Sequence, residues 1–317
     1  MIELICCGAI NWDINLFMER LPRTGEEVPV EEIQRVSGGT AANVAVAAAR
    51  ILEEGRVAFI GALGRDGIGE SQIEILENEG VDHSGVLLVE GEESGQAYIT
   101  IAPDGRNEIH TYFGANLSLT RQRLSDTPRL RLIREAKVAV IMDPPLETAE
   151  ALARLSSKAG VTVIWDPGVY AELGIEALSP TLQHVDYFIL NHLEYENLLG
   201  TYDPDEVGEI LMGEKPHLKA IIKRGSKGCV LCGGIEEQII IRAVPLERLG
   251  KVVINTVGCG DAFIGAFAAS KVLGHNDKEA LRRGCAAGSF KATKKETRGG
   301  PTSVELEDFL AEWEALV

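Results

Sequence analysis

Positive charge is scarce in this chain. Against 48 Asp and Glu there are 31 Lys and Arg, a formal charge of −17, and the acids are spread along the sequence rather than gathered in a tail. A basic face, which phosphate backbones require, is therefore lacking, and nucleic acid is not an expected partner. The same deficit constrains any anionic small ligand, whose site must draw positive potential from backbone N–H groups, a few Lys or Arg, and metal ions. No apolar run approaches the length of a bilayer span. The opening MIELICCGAINWDI has no basic leader and no small-residue cleavage site. No membrane partner is expected, and the expected location is the cytoplasm. The six histidines contain no H-x-x-x-H or H-E-x-x-H pair, so no zinc site is read. Six cysteines in 317 residues make no disulfide framework. Cys6 and Cys7, adjacent on a predicted strand, should point to opposite faces, as should Cys229 and Cys232 in GCVLCGG, which favours packing over metal or redox chemistry. The phosphate-binding pattern G-x-x-x-x-G-K-[ST] is absent.

What the chain does have is 45% hydrophobic residues, ample for one large core. Apolar runs (ELICCG, VAFIGALG, KVAVIMD, VTVIWDPG, DYFILN, KAIIKRG) alternate with helical patterns near 40–52, 68–79, 147–157, 192–199 and 204–212. Continuous Val/Ile/Leu runs separated by helices predict a parallel sheet covered on both faces, with ligands beyond the carboxyl ends of its strands. The last third is predicted helical near 260–273, 277–295 and 303–314, with no strand between. Residues 14–37 and 95–113 break the alternation as two pairs of short strands, the second turning at Pro103-Asp104-Gly105. They are expected to form a small β-sheet lid on a core made of residues 1–13, 38–94 and 114–317.

The segment NTVGCGDAFIGAF at 255–267 sets one acid at the head of an otherwise apolar helix. Gly258 and Gly260 permit a tight turn, so the N–H groups of Gly258, Cys259 and Gly260 are predicted to face outward at a helix start that attracts anions. Asp261 in that first turn either complements the helix dipole or takes a proton from an attacking hydroxyl. The residues alone leave both open. The spacing G-x-G-x-x-x-x-G does not match the dinucleotide fingerprint G-x-G-x-x-G.

This segment resembles the C-terminal signature of the ribokinase family, the PfkB-type carbohydrate kinases, written D-T-x-G-A-G-D-x-F-x-G-A-F. GGTAANVAVAAARI at 38–51, GALGRDGIGE at 61–70, DPG at 166–168, NHLE at 191–194 and KRGSKGCVL at 223–231 resemble its other landmarks in order. The resemblance implies a ribokinase-like three-layer α/β/α core with a mostly parallel sheet, plus a lid. It implies an ATP-dependent kinase acting on a hydroxyl of a small sugar, or alternatively a nucleoside. A sugar- or nucleotide-sensing module without turnover is the alternative from another class.

By the same resemblance Asp261 is the base, and the amides of Gly258, Cys259 and Gly260 are the anion hole. Asn11, Asp13, Gly38, Gly39 and Asn43 hold the acceptor. Asn191 and Glu194 organise Mg²⁺ through water, and Asn191, Lys223, Gly225, Ser226, Gly228, Thr256, Gly258 and Gly260 contact the nucleotide. A carboxylate, an amide and a glycine suit a polyol, because they accept, donate and allow close approach. An aromatic slot for a nucleobase would draw on Phe17, Tyr112 or Phe113, and a phosphorylated acceptor on Arg35, Arg65 or Arg106. Asn255 stands where the family usually has Asp, which removes a charge from a region that in many members helps hold potassium. Dependence on a monovalent cation is therefore not expected. Exposed lid strands would offer an edge to a second copy, making a homodimer through the lid.

Overall fold

The computed structural model describes residues 1–103, 106–234 and 237–316. Its strands in chain order are β1 (Leu4–Gly8), β2 (Asn11–Phe17), β3 (Glu32–Gly38), β4 (Val57–Ile60), β5 (Ala62–Gly64), β6 (Val81–Asp82), β7 (Leu87–Val89), β8 (Gln96–Ile101), β9 (Asn107–Tyr112), β10 (Val138–Met142), β11 (Thr162–Asp166), β12 (Tyr187–Asn191), β13 (Lys219–Lys223), β14 (Cys229–Gly233) and β15 (Ile239–Ile241). The α-helices are α1 (Thr40–Leu52), α2 (Gly67–Asn78), α3 (Thr127–Glu135), α4 (Leu146–Lys158), α5 (Ile175–Leu182), α6 (His192–Leu199), α7 (Pro204–Glu214), α8 (Cys259–Val272), α9 (Asp277–Ala292) and α10 (Ser303–Glu314).

A nine-stranded sheet runs β15-β14-β13-β12-β11-β10-β1-β4-β6, parallel from β13 to β6 and antiparallel at β14 and β15. Burial on both faces explains the unbroken apolar runs of β1, β4 and β10. Alternation along the strands splits the core into two layers. Cys6 and Cys229 fall in one, Cys7 and Cys232 in the other, as their offsets predict. All six cysteines are free thiols.

The two segments that break the α/β alternation meet in a separate four-stranded sheet, β3-β2-β8-β9, in which β2 and β8 are parallel. Asp104 and Gly105 of the expected turn lie outside the described residues. The run VAFIGALG is not one strand. It breaks at Gly61 into β4, in the main sheet, and β5, which pairs with β7. A side chain at Gly61 would overlap the Phe59 ring, so this bend needs glycine. Helices α3 and α5 fall outside the predicted helical segments. The first is short and highly charged, and the second carries Pro180 within it. Helix α9 stops at Ala292, three residues before the expected end at 295. The Ala292 carbonyl accepts the N–H groups of Ile254 (2.7 Å) and Asn255 (3.2 Å), so it is spent on tertiary contacts rather than on another turn. Among the described residues no helix is long and apolar enough to cross a membrane.

Helices α1 and α8 lie together on one face of the sheet. They approach so closely that a Cβ on Gly265 would stand 2.7 Å from that of Ala47. The alanine-rich sequence of α1 and the small residues of α8 allow this contact, and it brings the first turns of both helices to one place.

Candidate functional site

Gly258 caps α8 in the left-handed conformation (φ 83°), and a side chain there would overlap the carbonyl of Thr297. Both facts demand glycine. The α8 hydrogen-bond ladder starts at Ala262, whose N–H donates to the Gly258 carbonyl (2.9 Å). The Cys259 N–H donates instead to Thr256 O (3.2 Å). The expected three-amide anion hole is therefore altered: Cys259 is turned into its own loop. Among the described residues the N–H groups of Gly258, Gly260 and Asp261 have no backbone partner. Burial raises the Cys259 thiol to about 11, so it is no reactive thiolate.

Asp261 Oδ2 accepts a hydrogen bond from Asn43 Nδ2 (2.8 Å), and Asn43 Oδ1 accepts from Arg298 Nε (2.8 Å). Both halves of the Asn43 amide are thus engaged, one orienting Asp261 and the other held by Arg298. Arg298 also donates through Nη2 to Gly38 O (3.2 Å), while its buried Nη1 has no partner among the described residues. Burial raises Asp261 to about 6, opposed by the Asn43 hydrogen bond and by Lys223 and Arg298. It raises Asp13 to about 7, with Arg298 opposing and Asp261 reinforcing, and lowers Arg298 to about 10. A base at Asp261 accepts a proton only when ionised, so kcat/KM should rise with pH along a limb centred near 6, measurable from about pH 4.5 to 9. A flat profile through that range would contradict the role.

Arg298 carries no motif in the sequence. It lies in TKKETRGGPT between α9 and α10, where the only local signal is a basic residue beside two glycines. Arg298→Met should free Asn43 to rotate and reduce kcat by about 10–100-fold with a smaller change in KM. Unchanged kcat would show that Asn43 needs no such anchor.

On the acceptor side, Asp13 lies on β2 opposite Val36 of β3, and only 8% of it is exposed. A side chain at Gly38 would overlap its carboxylate. Gly39, at φ 90°, is so close to the chain leaving β1 that a Cβ would stand 2.5 Å from Ile10 Cα. Asn11 is held from two sides: Asn116 Nδ2 donates to its Oδ1 (3.0 Å), and Gln72 Nε2 donates to its carbonyl (2.6 Å). Asp13, Gly38, Gly39 and Asn43 are therefore gathered at the junction of β2, β3 and α1, with Asp261 bonded to Asn43. Phe17, Tyr112 and Phe113 make no ring contacts with one another among the described residues. Arg65 is paired with Glu90 (2.8 Å).

The ends of β10 to β13 carry the remaining polar groups. Lys223 Nζ pairs with Asp166 Oδ2 (2.8 Å), and a Cβ on Gly260 would lie 3.7 Å from that ammonium. Burial pushes Lys223 down, but Asp166, Glu194 and Asp261 outweigh it, and the net shift is upward. Asn191 caps α6, accepting from the N–H groups of Leu193 (2.9 Å) and Glu194 (3.0 Å), while Glu194 Oε2 takes the Asn191 N–H (2.7 Å). This capping box uses both side chains for structure and still sets the Glu194 carboxylate near Asp166. Burial raises the Glu194 pKa, and Asp166 adds to the rise.

Among the described residues no group of three or more His, Cys, Asp or Glu side chains is arranged to enclose a metal. Two neighbouring carboxylates with one ammonium suit a hydrated divalent ion that keeps most of its waters. Gly225 and Ser226 form an exposed turn after β13, and Gly228 (φ 88°) packs its backbone against Ile241 O. Thr256 is exposed and lends its carbonyl to Cys259. Asp143, following β10, adopts φ 55° and accepts from Thr40 Oγ1 (2.8 Å) and the Val169 N–H (3.2 Å). No sequence motif marks its neighbourhood.

A family model described as pfkB family carbohydrate kinase matches residues 1–303. The ATP-dependent ribose-1-phosphate kinase of Halopiger xanaduensis is 28% identical over 312 residues, covering 98% of this chain and 99% of that protein. The ribokinase of Haemophilus influenzae is 30% identical over 312 residues, covering 97% and 98%. The solved structure of Arabidopsis thaliana ribokinase complexed with ribose and ATP superposes with a TM-score of 0.86 at 28% identity, covering 98% of this chain and 99% of that one.

Proposed function

Because the chain belongs to the pfkB family of carbohydrate kinases, we propose that Asp261 is the base that takes the proton from a sugar hydroxyl as it attacks the terminal phosphate of ATP. The enzyme is a phosphotransferase with an alcohol group as acceptor. The observation that carries the assignment of Asp261 is its position: a carboxylate held by Asn43 in the first turn of α8, among N–H groups that have no backbone partner in the described residues.

Phosphoryl transfer needs placement and neutralisation of charge more than covalent assistance. The acceptor lies against Asp13, Asn11, Asn43 and the backbone at Gly38 and Gly39, with its reactive hydroxyl donating to Asp261. The amides of Gly258 and Gly260 receive the migrating phosphoryl oxygens, and Lys223 adds positive charge from below. The proton ends on Asp261, whose raised pKa makes it a better acceptor than an exposed Asp. Glu194, with Asp166 behind it and Asn191 shaping its turn, would hold Mg²⁺ through water. That ion, when bound, neutralises the nucleotide phosphates. Gly225, Ser226, Gly228 and Thr256 border the nucleotide.

The sheet β3-β2-β8-β9 acts as the lid on a core formed by the rest of the chain; its strand β2 begins at Asn11 and β3 runs to Gly38, so the lid sheet reaches a few residues beyond the expected 14–37. Asp13 lies on its strand β2, so closure and acceptor binding are coupled and water is expelled together. The lid sheet's two edge strands, β3 with Ile33 48% exposed and β9 with Ile109 60% exposed, offer edges at which a second copy would pair in a homodimer. The reaction would take place in the cytoplasm, where its donor ATP is available.

A second reading concerns the acceptor. One relative acts on ribose 1-phosphate, and Arg298, near Asp13 with one unpartnered buried nitrogen, is a cation that a phosphorylated acceptor could use. ADP release from Mg-ATP should be measured with ribose, ribose 1-phosphate, other free sugars and nucleosides. Transfer to ribose supports the free-sugar reading, and transfer confined to ribose 1-phosphate or to nucleosides replaces it. No transfer to any acceptor would favour a sensing module.

A further inference from the structure

Lys291, near the end of α9, is fully buried. Its Nζ donates to the main-chain carbonyl of Asn255 (2.9 Å), the residue that opens the loop into α8. The same carbonyl is approached by the Cys259 thiol (3.9 Å), so the ammonium lies beneath the anion-hole turn. Of the other cations near this site, Lys223 is compensated by contact with Asp166, and Arg298 is engaged with Asn43 and the Gly38 carbonyl. Lys291 makes no contact ion pair among the described residues, and the group it meets is a neutral carbonyl. Burial lowers its pKa, while Cys259, Glu296 and Asp261 favour the charged form.

An ammonium removed from water without a contact carboxylate is costly, and its field is not cancelled locally. The nearest place where extra negative charge must arrive during the proposed reaction is the Gly258–Gly260 turn. The loop geometry serves the same end. Asn255 is further tied by its Nδ2 to Lys295 O (2.8 Å) and accepts the Val257 N–H on Oδ1 (2.9 Å), so the carbonyl that meets Lys291 is rigidly presented.

We propose that Lys291 is a positioning residue that acts as a tethered monovalent cation, holding the Asn255–Gly258 loop and supplying positive charge beneath the amides that receive the phosphoryl group. This rests on the kinase reading above. It extends the machinery to α9, a helix that carries none of the proposed acceptor- or nucleotide-binding residues.

The test uses the full chain. Lys291→Met keeps the shape and removes the charge, and should lower kcat by about 10–100-fold with a smaller change in the KM for ATP. Its melting temperature should be unchanged or higher, because a buried unpaired charge has been replaced by an apolar chain. Lys291→Ala opens space at the Asn255 carbonyl, and its rate should recover several-fold with added methylammonium, ammonium or potassium chloride, while wild type responds to none of them. Wild-type rates in Lys291→Met would overturn the proposal. So would a folded, slow Lys291→Ala enzyme that no cation restores, since lost packing would then be the cause. If Lys291→Ala fails to fold, the kcat of Lys291→Met decides alone, with Lys291→Arg, which keeps the charge, expected to be faster than Lys291→Met if both fold. Failure of the kinase reading is seen separately, as absence of transfer by the wild-type protein.

Discussion

Asp261→Asn is expected to reduce kcat about 10³-fold at pH 8 while leaving ATP and acceptor affinities within a few-fold of wild type. Asn preserves the shape and the oxygen that accepts from Asn43 Nδ2, so the loss isolates proton acceptance. The same substitution should stabilise the fold. Folding raises the Asp261 pKa from 3.8 to about 6, so the folded state binds more protons than the unfolded one between those values. Stability is therefore lost from this group as pH rises from about 4 to 6, and the full cost remains above that range. Removing the carboxyl should leave the melting temperature unchanged near pH 3.5 and raise it at pH 8, by about 1–2 kcal/mol in stability. Calorimetric melts of both proteins across that interval, beside steady-state rates, give the two readouts. A variant that is slow but less stable at pH 8 would mean that Asp261 chiefly supports the fold.

The second large effect is expected at the ion pair beneath the site. Lys223→Met leaves Asp166, 5% exposed, facing Glu194 and Asp261 with no contact cation. Breaking a buried pair from one side costs about 3–5 kcal/mol. The Asp166→Asn change alone should also destabilise, since it strands Lys223. The double variant should recover much of the loss, giving a coupling of at least about 2 kcal/mol in a double-mutant cycle. Urea unfolding of the four proteins measures it, and simple additivity would refute the coupling. Activity is expected to separate from stability here. The double variant refolds the pocket but lacks the ammonium near Gly260, so its KM for ATP should stay raised although its stability returns.

Much of this site is local in origin and legible in the sequence. A strand end, a glycine turn and an acid in the first turn of an apolar helix lie within 255–267, because helix starts and tight turns are short-range devices. The parallel sheet is legible too, since strands buried on both faces must be apolar without interruption.

What the pattern could not reveal is who meets whom. Asn43 reads as an acceptor ligand, yet its amide is shared between Asp261 and Arg298, 218 and 255 residues away in sequence. Asn191 and Glu194 read as magnesium organisers, and they also close a capping box. Cys259 reads as one of three anion-hole amides, but its N–H serves Thr256.

Sequence by itself determined the layers and the placing of glycine-rich and polar motifs at strand ends and helix starts. Only the tertiary structure decided that Arg298 and Lys291 converge on Asn43 and Asn255. The reason is physical: propensity and periodicity act over a few residues, whereas stacking α1, α8 and α9 on a parallel sheet joins segments hundreds of residues apart. The charges it brings together have no local signature, because each is an ordinary basic residue until a partner carbonyl or amide is folded against it.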